Sequence, residues 1–583
     1  AAAIGPGDTA AAHARDTEVA GAGLCEPDVV AALAAGSPGA VEWLVAAGAE
    51  LERRNLRVEG GHGAHRVVHS GNDATGAEVH RALREALLTS GIEILDRTIA
   101  LDLLTDDSVT SDLDAGRGGV RGVAAAGIGP GGVLSPGLIT ARAVILAAGG
   151  LGQAYATTSN PSGATGDALA IAARAGAVLR DPEFVQFHPT VLYLPGISGQ
   201  RPLITEALRG AGAVLRDLDG RPLMAGHDPR GDLAPRDIVA ARVHSMITSA
   251  SDGPASSGGE PGHVWLDATA LGADVLENGF PTVTAACRKH DIDPVTDLIP
   301  VAPGAHYSCG GILAGLDGRT SIPGLHAIGE AASTGFHGAN RLASNSLVEA
   351  VISGRRAGYA AYHQISGTAA GGERGPAGAS ADHRLPNGFD VTPTPFYGDG
   401  CHIDLLWGEL AAGRGELEMG RGEPGGGTAA ESRAALASAM SRYAGVLRDA
   451  PGLERLLRII ASAPRSERVP GARGEPSPNG WMRQRPPKSG VDAAATSFGS
   501  GVDAAATPFG SGADFARGAD AAARSFGLAE FGLAEVEAAN LREVSALIAA
   551  AALHRSESRG AHRRSDAPDT APIARHTLVR YHR

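Results

Sequence analysis

Aromatic residues, cysteines and long apolar runs are all scarce in this sequence. Phe, Trp and Tyr together make up 4% of the 583 residues. The chain has four cysteines, which lie far apart and form no CxxC pair: Cys25, Cys287, Cys309 and Cys401. This spacing argues against a zinc site and against a disulfide framework. The longest apolar runs, such as 144–148 and 546–553, are far shorter than the roughly 20 residues of a membrane span. We therefore expect a cytoplasmic protein that does not enter a membrane.

Basic charge is also in short supply. The chain has 51 Lys and Arg against 64 Asp and Glu, which gives a net charge of −13. Nucleic-acid binding needs a concentrated basic face, and the one dense basic stretch, 554–583, is interrupted by acids. We expect no nucleic-acid partner. His62, His65 and His69 have the spacing of one helix face, but the glycines among them make a helix improbable, so we expect no metal site.

An opening strand that runs into a Gly-rich turn is missing. Nucleotide-binding α/β proteins usually begin with such a βαβ unit, whose helix N-terminus holds a pyrophosphate. This chain begins at Ala1 with neither feature. Two formal GxGxxG matches, at 127–132 and 420–425, neither follow a strand nor open a helix, and we interpret both as chance. If the unit belongs to this protein, about 50 residues of it would precede Ala1.

The hydrophobic periodicity predicts a mixture of strands and helices along the rest of the chain. The predicted strands are 92–95, 99–104, 144–148 and 325–329. The predicted helices are 29–48, 77–88, 166–175 (capped by Thr165), 346–357, 442–460 and 538–554. An 11-residue motif at 489–499 is repeated almost unchanged at 500–510, and we interpret it as a disordered low-complexity insertion.

These elements predict an α/β fold in three parts. A Rossmann-like nucleotide-binding domain lacks its first βαβ unit and is interrupted by an α+β capping domain; a C-terminal helical bundle domain follows. The predicted boundaries are 1–180 and 307–365 for the first domain, 181–306 for the capping domain, 366–430 for a linker, and 431–570 for the helical domain with its insertion at about 464–535.

Two strand ends and one helix start carry the residues expected of a nucleotide site. The strand at 144–148 leads into Gly149 and Gly150, Asp167 begins a predicted helix, and the strand at 325–329 ends beside Glu330. Glycine lets the backbone approach a ligand closely, and a carboxylate can accept a hydrogen bond from a ribose or ribityl hydroxyl. Each of these is an ordinary strand-end turn when taken alone. Their order along one chain favours a nucleotide cofactor.

A second group of residues suits a small dicarboxylate. Arginine binds carboxylates with two parallel hydrogen bonds, and histidine and threonine add directed donors. The segments are 186–190 (QFHPT), 205–210 (TEALRG), 233–237 (LAPRD), 305–307 (AHY) and 337–341 (HGANR). Glu59 could accept an ammonium group. The simpler alternatives are structural hydrogen bonds for the histidines, a salt bridge with a neighbouring acid for Arg209, and a solvated turn for Glu59.

With these segments in order, residues 1–365 resemble the succinate dehydrogenase/fumarate reductase flavoprotein superfamily. Within it, the sequences around Arg236, Ser346, His306 and Glu59 resemble the L-aspartate oxidase family. The C-terminal block, which includes 557–560, resembles the helical domain of that family.

The resemblance implies a role for each candidate residue. Arg236 would move the substrate proton, and Glu59 would meet the α-ammonium group. The residues implied in substrate binding are Gln186, His188, Thr205, Glu206, His306 and Arg341, with Gln186 beside the flavin. The residues implied in FAD binding are Gly149, Gly150, Asp167, Glu330, Ser346 and Leu347.

The resemblance also implies a reaction. L-Aspartate would be oxidised to iminosuccinate, with hydride passing to N5 of a non-covalently bound FAD, and the flavin would be reoxidised by O2 or fumarate. The product would enter quinolinate and NAD biosynthesis, through a hand-off to quinolinate synthase. Two alternatives stay open: a soluble fumarate reductase or succinate dehydrogenase-type flavoprotein, and a non-catalytic binding protein derived from such an enzyme.

Overall fold

The computed structural model describes residues 1–71, 73–105, 119–251, 262–366, 401–406, 428–462 and 532–582. The predicted repeats at 489–510 and most of the predicted linker lie outside these residues. The helices are α1 Ala10–Ala20, α2 Pro27–Ala46, α3 Thr75–Thr89, α4 Asp167–Arg174, α5 Ala207–Gly210, α6 Arg236–Ser251, α7 Gly272–Asp274, α8 Pro281–Arg288, α9 Ser346–Ser366, α10 Ala429–Tyr443, α11 Ala450–Ser462 and α12 Leu533–His554. The strands are β1 Glu52–Arg57, β2 Val67–His69, β3 Thr98–Thr105, β4 Val120–Ile128, β5 Leu134–Thr140, β6 Val144–Leu146, β7 Thr157–Thr158, β8 Val178–Arg180, β9 Val185–Leu192, β10 Gly199–Gln200, β11 Val214–Arg216, β12 Val264–Asp267, β13 Ile299–Ser308, β14 Gly311–Leu313, β15 Leu325–Ala327, β16 Ala332–Ser333, β17 Cys401–Leu406 and β18 Thr577–His582.

The two apolar strands that were predicted to carry a nucleotide site are neighbours. β6 and β15 pair in parallel, with Val144 opposite Leu325 and Leu146 opposite Ala327. Both strands are short and apolar, as expected of strands that lie inside an α/β unit. Because they run in the same direction, the glycines that follow each of them lie at one end of the pair.

A separate sheet carries the residues of the predicted dicarboxylate site. β10, β7, β13, β12 and β11 form it in that order, and β9 pairs antiparallel with β13. Every residue of β9 is buried, since α6 covers one of its faces. Between the two strands, His188 lies opposite Gly304 and Gln186 lies opposite Tyr307. This register gathers the polar residues of two distant segments.

Among the described residues, one helix is long and apolar enough to cross a membrane, by length and composition. It is α2, and its buried face is part of a hydrophobic cluster that also contains residues of α9. Val30, Leu33 and Leu44 lie in this cluster with Val348 and Ile352. The contacts are those of a core helix, which meets the same criterion of length and composition.

The C-terminal helices share one hydrophobic core with the first part of the chain. α10, α11 and α12 contact one another, and α12 also contacts α4. Leu456 of α11, Leu547 of α12 and Ile171 of α4 belong to the same buried cluster. In addition, β18 pairs with β8 in a five-stranded sheet of order β16, β14, β8, β18 and β17.

The predicted helix at 442–460 is wrong, because two helices meet there. α10 ends at Tyr443 and α11 begins at Ala450. Between them, the backbone N–H of Arg448 donates to the carbonyl of Arg563, and its carbonyl accepts from Ser565. The Arg448 side chain is buried and donates to the carbonyl of Glu183. The backbone of Arg448 therefore makes its hydrogen bonds to the C-terminal part of the chain and not within a helix.

Two smaller predictions are also wrong. Residues 92–95 do not form a strand, since they pair with no described strand, and Ile92 is 65% exposed. Thr165 does not cap α4: the N-cap residue is Gly166, and the Thr165 hydroxyl donates to Asp167 Oδ1 at 3.0 Å. The helix itself, and the helices predicted near 29–48, 77–88, 346–357 and 538–554, are present.

Candidate functional site

Two histidines from neighbouring strands form one wall of the site. His188 on β9 and His306 on β13 have ring centroids 5.1 Å apart. Burial lowers the pKa of both imidazoles well below the usual range, and the nearby Arg236 lowers it further. Both rings are therefore neutral near pH 7. His188 Nε2 is buried and has no hydrogen-bond partner among the described residues, so it is available to a ligand.

Arg341 lies beside these histidines and has neutral partners. Its Nη1 donates to Ser346 Oγ and its Nη2 lies 2.8 Å from His306 Nε2. The guanidinium carbon is 4.5 Å from the ring centroid of Tyr307. Burial and then the charge of Arg236 lower the pKa of Arg341 to about 10. Its Nε is buried without a partner in the described structure. A buried cation of this kind favours an anionic ligand.

Arg236 lies at the start of α6 and has an acidic partner. Its Nε donates to Glu206 Oε2 at 2.8 Å, and its Nη1 donates to Gln186 Oε1 at 3.2 Å. Glu206 also pairs with Arg209, as the structural alternative for Arg209 predicted. Burial would raise the pKa of Glu206, but Arg236 and then Arg209 outweigh it and lower the pKa. Glu206 was predicted to bind substrate; here its carboxylate holds two arginines.

Glu59 and Thr205 lie on loops near this group. Glu59 Oε2 accepts a hydrogen bond from Ser344 Oγ at 2.8 Å. The next residue, Gly60, lies against Glu206, since a Cβ at Gly60 would overlap the Glu206 carboxylate. Thr205 directly precedes Glu206, and its hydroxyl accepts from the Ala207 N–H at 3.4 Å. These contacts bring both loops to the Glu206 side of the site.

The predicted cofactor residues form a second group at the end of β6 and β15. Gly149 has φ of 75°, and a Cβ at Gly150 would overlap the Glu330 carboxylate. The Gly150 carbonyl accepts from the N–H of Gly166, which precedes Asp167. Burial raises the pKa of Glu330 to about 7, although the Ser308 N–H donates to it at 3.0 Å and lowers the pKa. Only glycine permits this close packing of backbone against carboxylate.

The remaining predicted cofactor residues have other contacts. Asp167 Oδ1 accepts from Asn540 Nδ2 of α12 at 2.9 Å as well as from Thr165. Ser346 accepts the hydrogen bond from Arg341, so it lies with the dicarboxylate group. The side chain of Leu347 is 40% exposed at the start of α9. No cluster of three or more His, Cys, Asp or Glu able to hold a metal ion is present in the described part of the chain.

A buried polar network beneath Arg341 was not predicted. His337 Nε2 lies 2.8 Å from Glu349 Oε2 and 3.2 Å from the Tyr307 hydroxyl. The Thr334 hydroxyl donates to the same carboxylate. Burial, and then Glu349, raise the pKa of Tyr307 well above its usual range. The network keeps the Tyr307 ring in place below the Arg341 guanidinium.

Comparison with known sequences shows which family the chain belongs to. A family described as an FAD binding domain matches residues 1–347, and a family described as the C-terminus of the fumarate reductase flavoprotein matches 530–583. The L-aspartate oxidase of Mycobacterium leprae is 38% identical over 587 aligned positions, covering 99% of this chain and 85% of the relative.

The chain belongs to the L-aspartate oxidase family of FAD-binding flavoproteins.

Other L-aspartate oxidases match over a shorter stretch. The Streptomyces coelicolor enzyme is 47% identical over 372 residues, and a Mycobacterium bovis enzyme is 48% identical over 359 residues. These matches cover 62% and 61% of this chain, and 61% and 63% of the two relatives. In these matches the chain therefore spans about three fifths of the length of the curated relatives.

Solved structures with the same fold come from the wider flavoprotein group. The solved structure of E. coli quinol fumarate reductase FrdA, which carries a Glu-to-Gln mutation, has a TM-score of 0.69 and 27% identity; the match covers 99% of this chain and 86% of that one. Mycobacterium smegmatis Sdh1 has a TM-score of 0.62 and 25% identity, with 99% and 85% covered.

The residues present fit FAD, the cofactor of this L-aspartate oxidase family. Parallel strands β6 and β15 end together, and nucleotides bind at the carboxyl ends of such strands. Gly149 has open space at the position of a Cβ, and Gly150 packs directly against Glu330. Glu330 provides a buried acceptor for a hydroxyl group. Resemblance of the motifs and geometry of the glycines therefore agree on the cofactor.

Proposed function

We propose that this chain oxidises L-aspartate to iminosuccinate. The observation that carries the proposal is the burial of Arg341 with neutral hydrogen-bond partners. In addition, Arg341 Nε and His188 Nε2 both lack partners among the described residues. Two carboxylates of a small substrate would supply the missing anions. Arg341 would hold one, together with His306 once its Nε2 exchanges the present hydrogen bond from Arg341 for one to the carboxylate. His188 with Thr205 would hold the other.

Glu59 accounts for the choice of an amino acid over succinate. Its carboxylate is the acid of the site that is not engaged by an arginine; its partner is the Ser344 hydroxyl. An α-ammonium group donates three hydrogen bonds and would be neutralised there. Succinate has no such group, so Glu59 would contribute to the binding of aspartate only.

Arg236 is positioned to move a proton. Its guanidinium is hydrogen-bonded to Glu206 and Gln186, which fix its plane. Glu206 is ionised, because the two arginines lower its pKa, and it would receive the proton that Arg236 passes on. Gln186, His188 and α6 exclude water from this path, since the first two are fully buried. FAD, when bound, supplies the acceptor for the hydride that leaves the substrate Cα.

The wider setting follows from the same reaction. We propose O2 or fumarate as the final electron acceptor, non-covalent attachment of FAD through Gly149, Gly150, Asp167, Glu330 and Leu347, and passage of iminosuccinate to quinolinate synthase. We also propose a cytoplasmic location, since Cys25, Cys287 and Cys309 are free thiols. The boundaries predicted for the three domains belong to this proposal as well.

The test is anaerobic reduction of the purified protein supplied with FAD. Bleaching of the visible flavin band by L-aspartate, but not by succinate, is the expected result. Bleaching by succinate instead would assign the chain to the dehydrogenase group, and a flavin band that no dicarboxylate bleaches would make it a binding protein.

Glu59→Gln tests the specificity. We expect kcat/KM for L-aspartate to fall about 10- to 100-fold, since a hydrogen bond to a charged group contributes about 1.5–3 kcal/mol. Any turnover of succinate should be nearly unchanged. Glu50→Gln, at an exposed acid upstream of β1, is the matched control. Equal loss with both substrates would show that Glu59 does not select the ammonium group.

A further inference from the structure

A chain of hydrogen bonds connects the C-terminal part of the molecule to Arg236. Arg563 Nη2 donates to Asp237 Oδ2 at 2.8 Å, and Asn340 Nδ2 donates to Asp237 Oδ1 at 3.0 Å. Gln186 Nε2 donates to Asn340 Oδ1 at 2.8 Å. Gln186 Oε1 then accepts from Arg236 Nη1 at 3.2 Å. No link in this series is missing.

The direction of every bond in the chain follows from its two charged ends. An ionised carboxylate only accepts, so Asn340 must turn its NH2 group toward Asp237. The Asn340 oxygen then faces Gln186, which must donate with its own NH2 group. Gln186 is left with its oxygen toward Arg236, whose guanidinium only donates. Gln186 Nε2 also donates to the Arg341 carbonyl at 2.7 Å. Asp237 therefore sets the orientation of the Asn340 amide, and Asn340, the Arg341 carbonyl and Arg236 together set that of Gln186.

The C-terminal segment also contacts the same loop through its backbone. The Ala561 N–H donates to the Ala339 carbonyl at 2.9 Å, directly before Asn340. Gly560 packs so closely on Ala339 that a Cβ there would overlap the carbonyl. The loop that bears Asn340 and Arg341 is therefore held by the segment that bears Arg563.

We propose that Arg563, acting through Asp237, Asn340 and Gln186, is a positioning residue for the Arg236 guanidinium. The inference rests on the proposed function for the role of Arg236. Arg563 touches neither substrate nor cofactor. It holds Asp237 in place, and Asp237 determines which atom Asn340 presents to Gln186. Without it, Asn340 can turn its NH2 group toward Gln186 Nε2, which the Arg341 carbonyl keeps as a donor. The two facing donors would then displace Gln186 from Arg236.

The first test measures the rate of flavin reduction by L-aspartate and the dissociation constant separately, by anaerobic stopped flow. For Arg563→Gln we expect the rate constant at saturation to fall about 10-fold, and more for Asp237→Asn, because small displacements of a catalytic group are costly. The dissociation constant should change less than about 3-fold, since Arg341 and His306 are untouched. Arg563→Lys, which keeps the charge, should recover most of the rate.

Arg564→Gln is the control for loss of docking. Arg564 pairs with Asp566 and donates to the carbonyls that end α12, but it has no link to Asn340. It should lower the melting temperature and leave the reduction rate within about 2-fold. Equal rate losses in Arg563→Gln and Arg564→Gln would overturn the proposal, as would a rate unchanged in both Arg563→Gln and Asp237→Asn.

A crystal structure of Asp237→Asn separates this inference from the proposed function. We expect the Arg236 Nη1 to Gln186 Oε1 hydrogen bond to be broken, whatever substrate the protein uses. An unchanged Arg236 position would contradict the positioning role. If the wild-type flavin is not reduced by L-aspartate, the proposed function fails, while the structure of the variant still decides whether Asp237 positions Arg236.

Discussion

Arg341 and Arg555 are both buried arginines that lie over an aromatic ring, but they differ in the charge of their hydrogen-bond partners. Each lies over an aromatic ring, Arg341 4.5 Å from the centroid of Tyr307 and Arg555 4.7 Å from that of Phe184. The hydrogen-bond partners of Arg341 are a serine and a histidine. Arg555 pairs with three carboxylates, those of Asp181, Glu183 and Glu557.

The pKa values follow the partners. Burial lowers the pKa of Arg341 to about 10. Burial acts in the same direction on Arg555, but Glu183 and then Asp181 outweigh it and raise the pKa. A cation whose charge is already neutralised holds the protein together. A buried cation that has no acidic hydrogen-bond partner is available to an anionic ligand. The free-energy cost of its burial is offset by the stability of the rest of the fold.

Loss of Arg341 should give the largest effect and sharpen this comparison. We expect Arg341→Gln to lower kcat/KM for L-aspartate about 1000-fold, because a bidentate charged pair is lost. The free energy of unfolding without substrate should be unchanged or higher, since a buried unpaired charge is removed. Steady-state kinetics and urea unfolding measure the two quantities.

Arg341→Lys is the informative control, because it keeps the charge and loses the planar fork. It should recover little of the lost activity. If Arg341→Gln instead destabilises the protein as much as it slows turnover, the contrast between the two arginines disappears.

Arg555→Gln should show the reverse pattern. Glu183 loses its charged partner, while Asp181 keeps His576 and Glu557 keeps Arg559. We therefore expect the free energy of unfolding to fall by about 3 kcal/mol. The KM for L-aspartate should be nearly unchanged. Arg230→Gln breaks an exposed pair with Asp228 and should cost less than about 1 kcal/mol. If an Arg555 variant folds normally and loses activity, Arg555 contributes to the site and not only to the buried ion pairs with Asp181 and Glu183.

His576 pairs with Asp181, which also pairs with Arg555. This pairing makes the stability that the cluster contributes depend on pH. Burial would lower its pKa, but hydrogen bonds to Asp181 and then Glu26 raise it to about 9. The charged form is therefore favoured by folding. Its contribution is complete below the unfolded pKa of about 6.5 and is lost as pH rises through about 9.

The His576→Asn variant tests this smallest effect. Compared with wild type, it should be less stable by about 1–2 kcal/mol at pH 6 and equally stable at pH 10, by urea unfolding at each pH. His227→Asn, at an exposed position, should leave the free energy unchanged at both. A deficit at pH 10 as large as at pH 6 would mean that the charge of His576 has no part in it.

The sequence predicted the parts of the site that short motifs carry. The segments around Gln186, His306 and Arg341 were recognised as donors for a dicarboxylate, and the structure brings them together. The two strands β6 and β15, with glycines after each, were also expected, although their pairing with each other was not predicted. These features are local, because a single strand or turn contains both the residue and the sequence pattern that predicts its role.

Features that depend on distant residues were missed. Glu206 follows Thr205 in a substrate-like motif, and only the tertiary structure shows that Arg236 and Arg209 occupy its carboxylate. The periodicity at 442–460 is helical, but Arg448 is drawn into an extended segment by partners more than a hundred residues away. The Tyr307, His337 and Glu349 network joins three segments, and nothing in the recognised segments 305–307 and 337–341 indicated that they meet Glu349. Asp237 and Arg563 are separated by 326 positions.

The pairing of β18 with β8 has a consequence for how the protein is made. The two strands are separated by about 400 residues, so a ribosome working at about 5–20 residues per second delivers the second at least about 20 s after the first. During that interval Asp181 and Glu183 have neither Arg555 nor His576 beside them, and the edge of β8 is open. Until β18 is synthesised, the sheet is incomplete at β8. Aggregation or chaperone binding can therefore compete with folding at the open edge of β8.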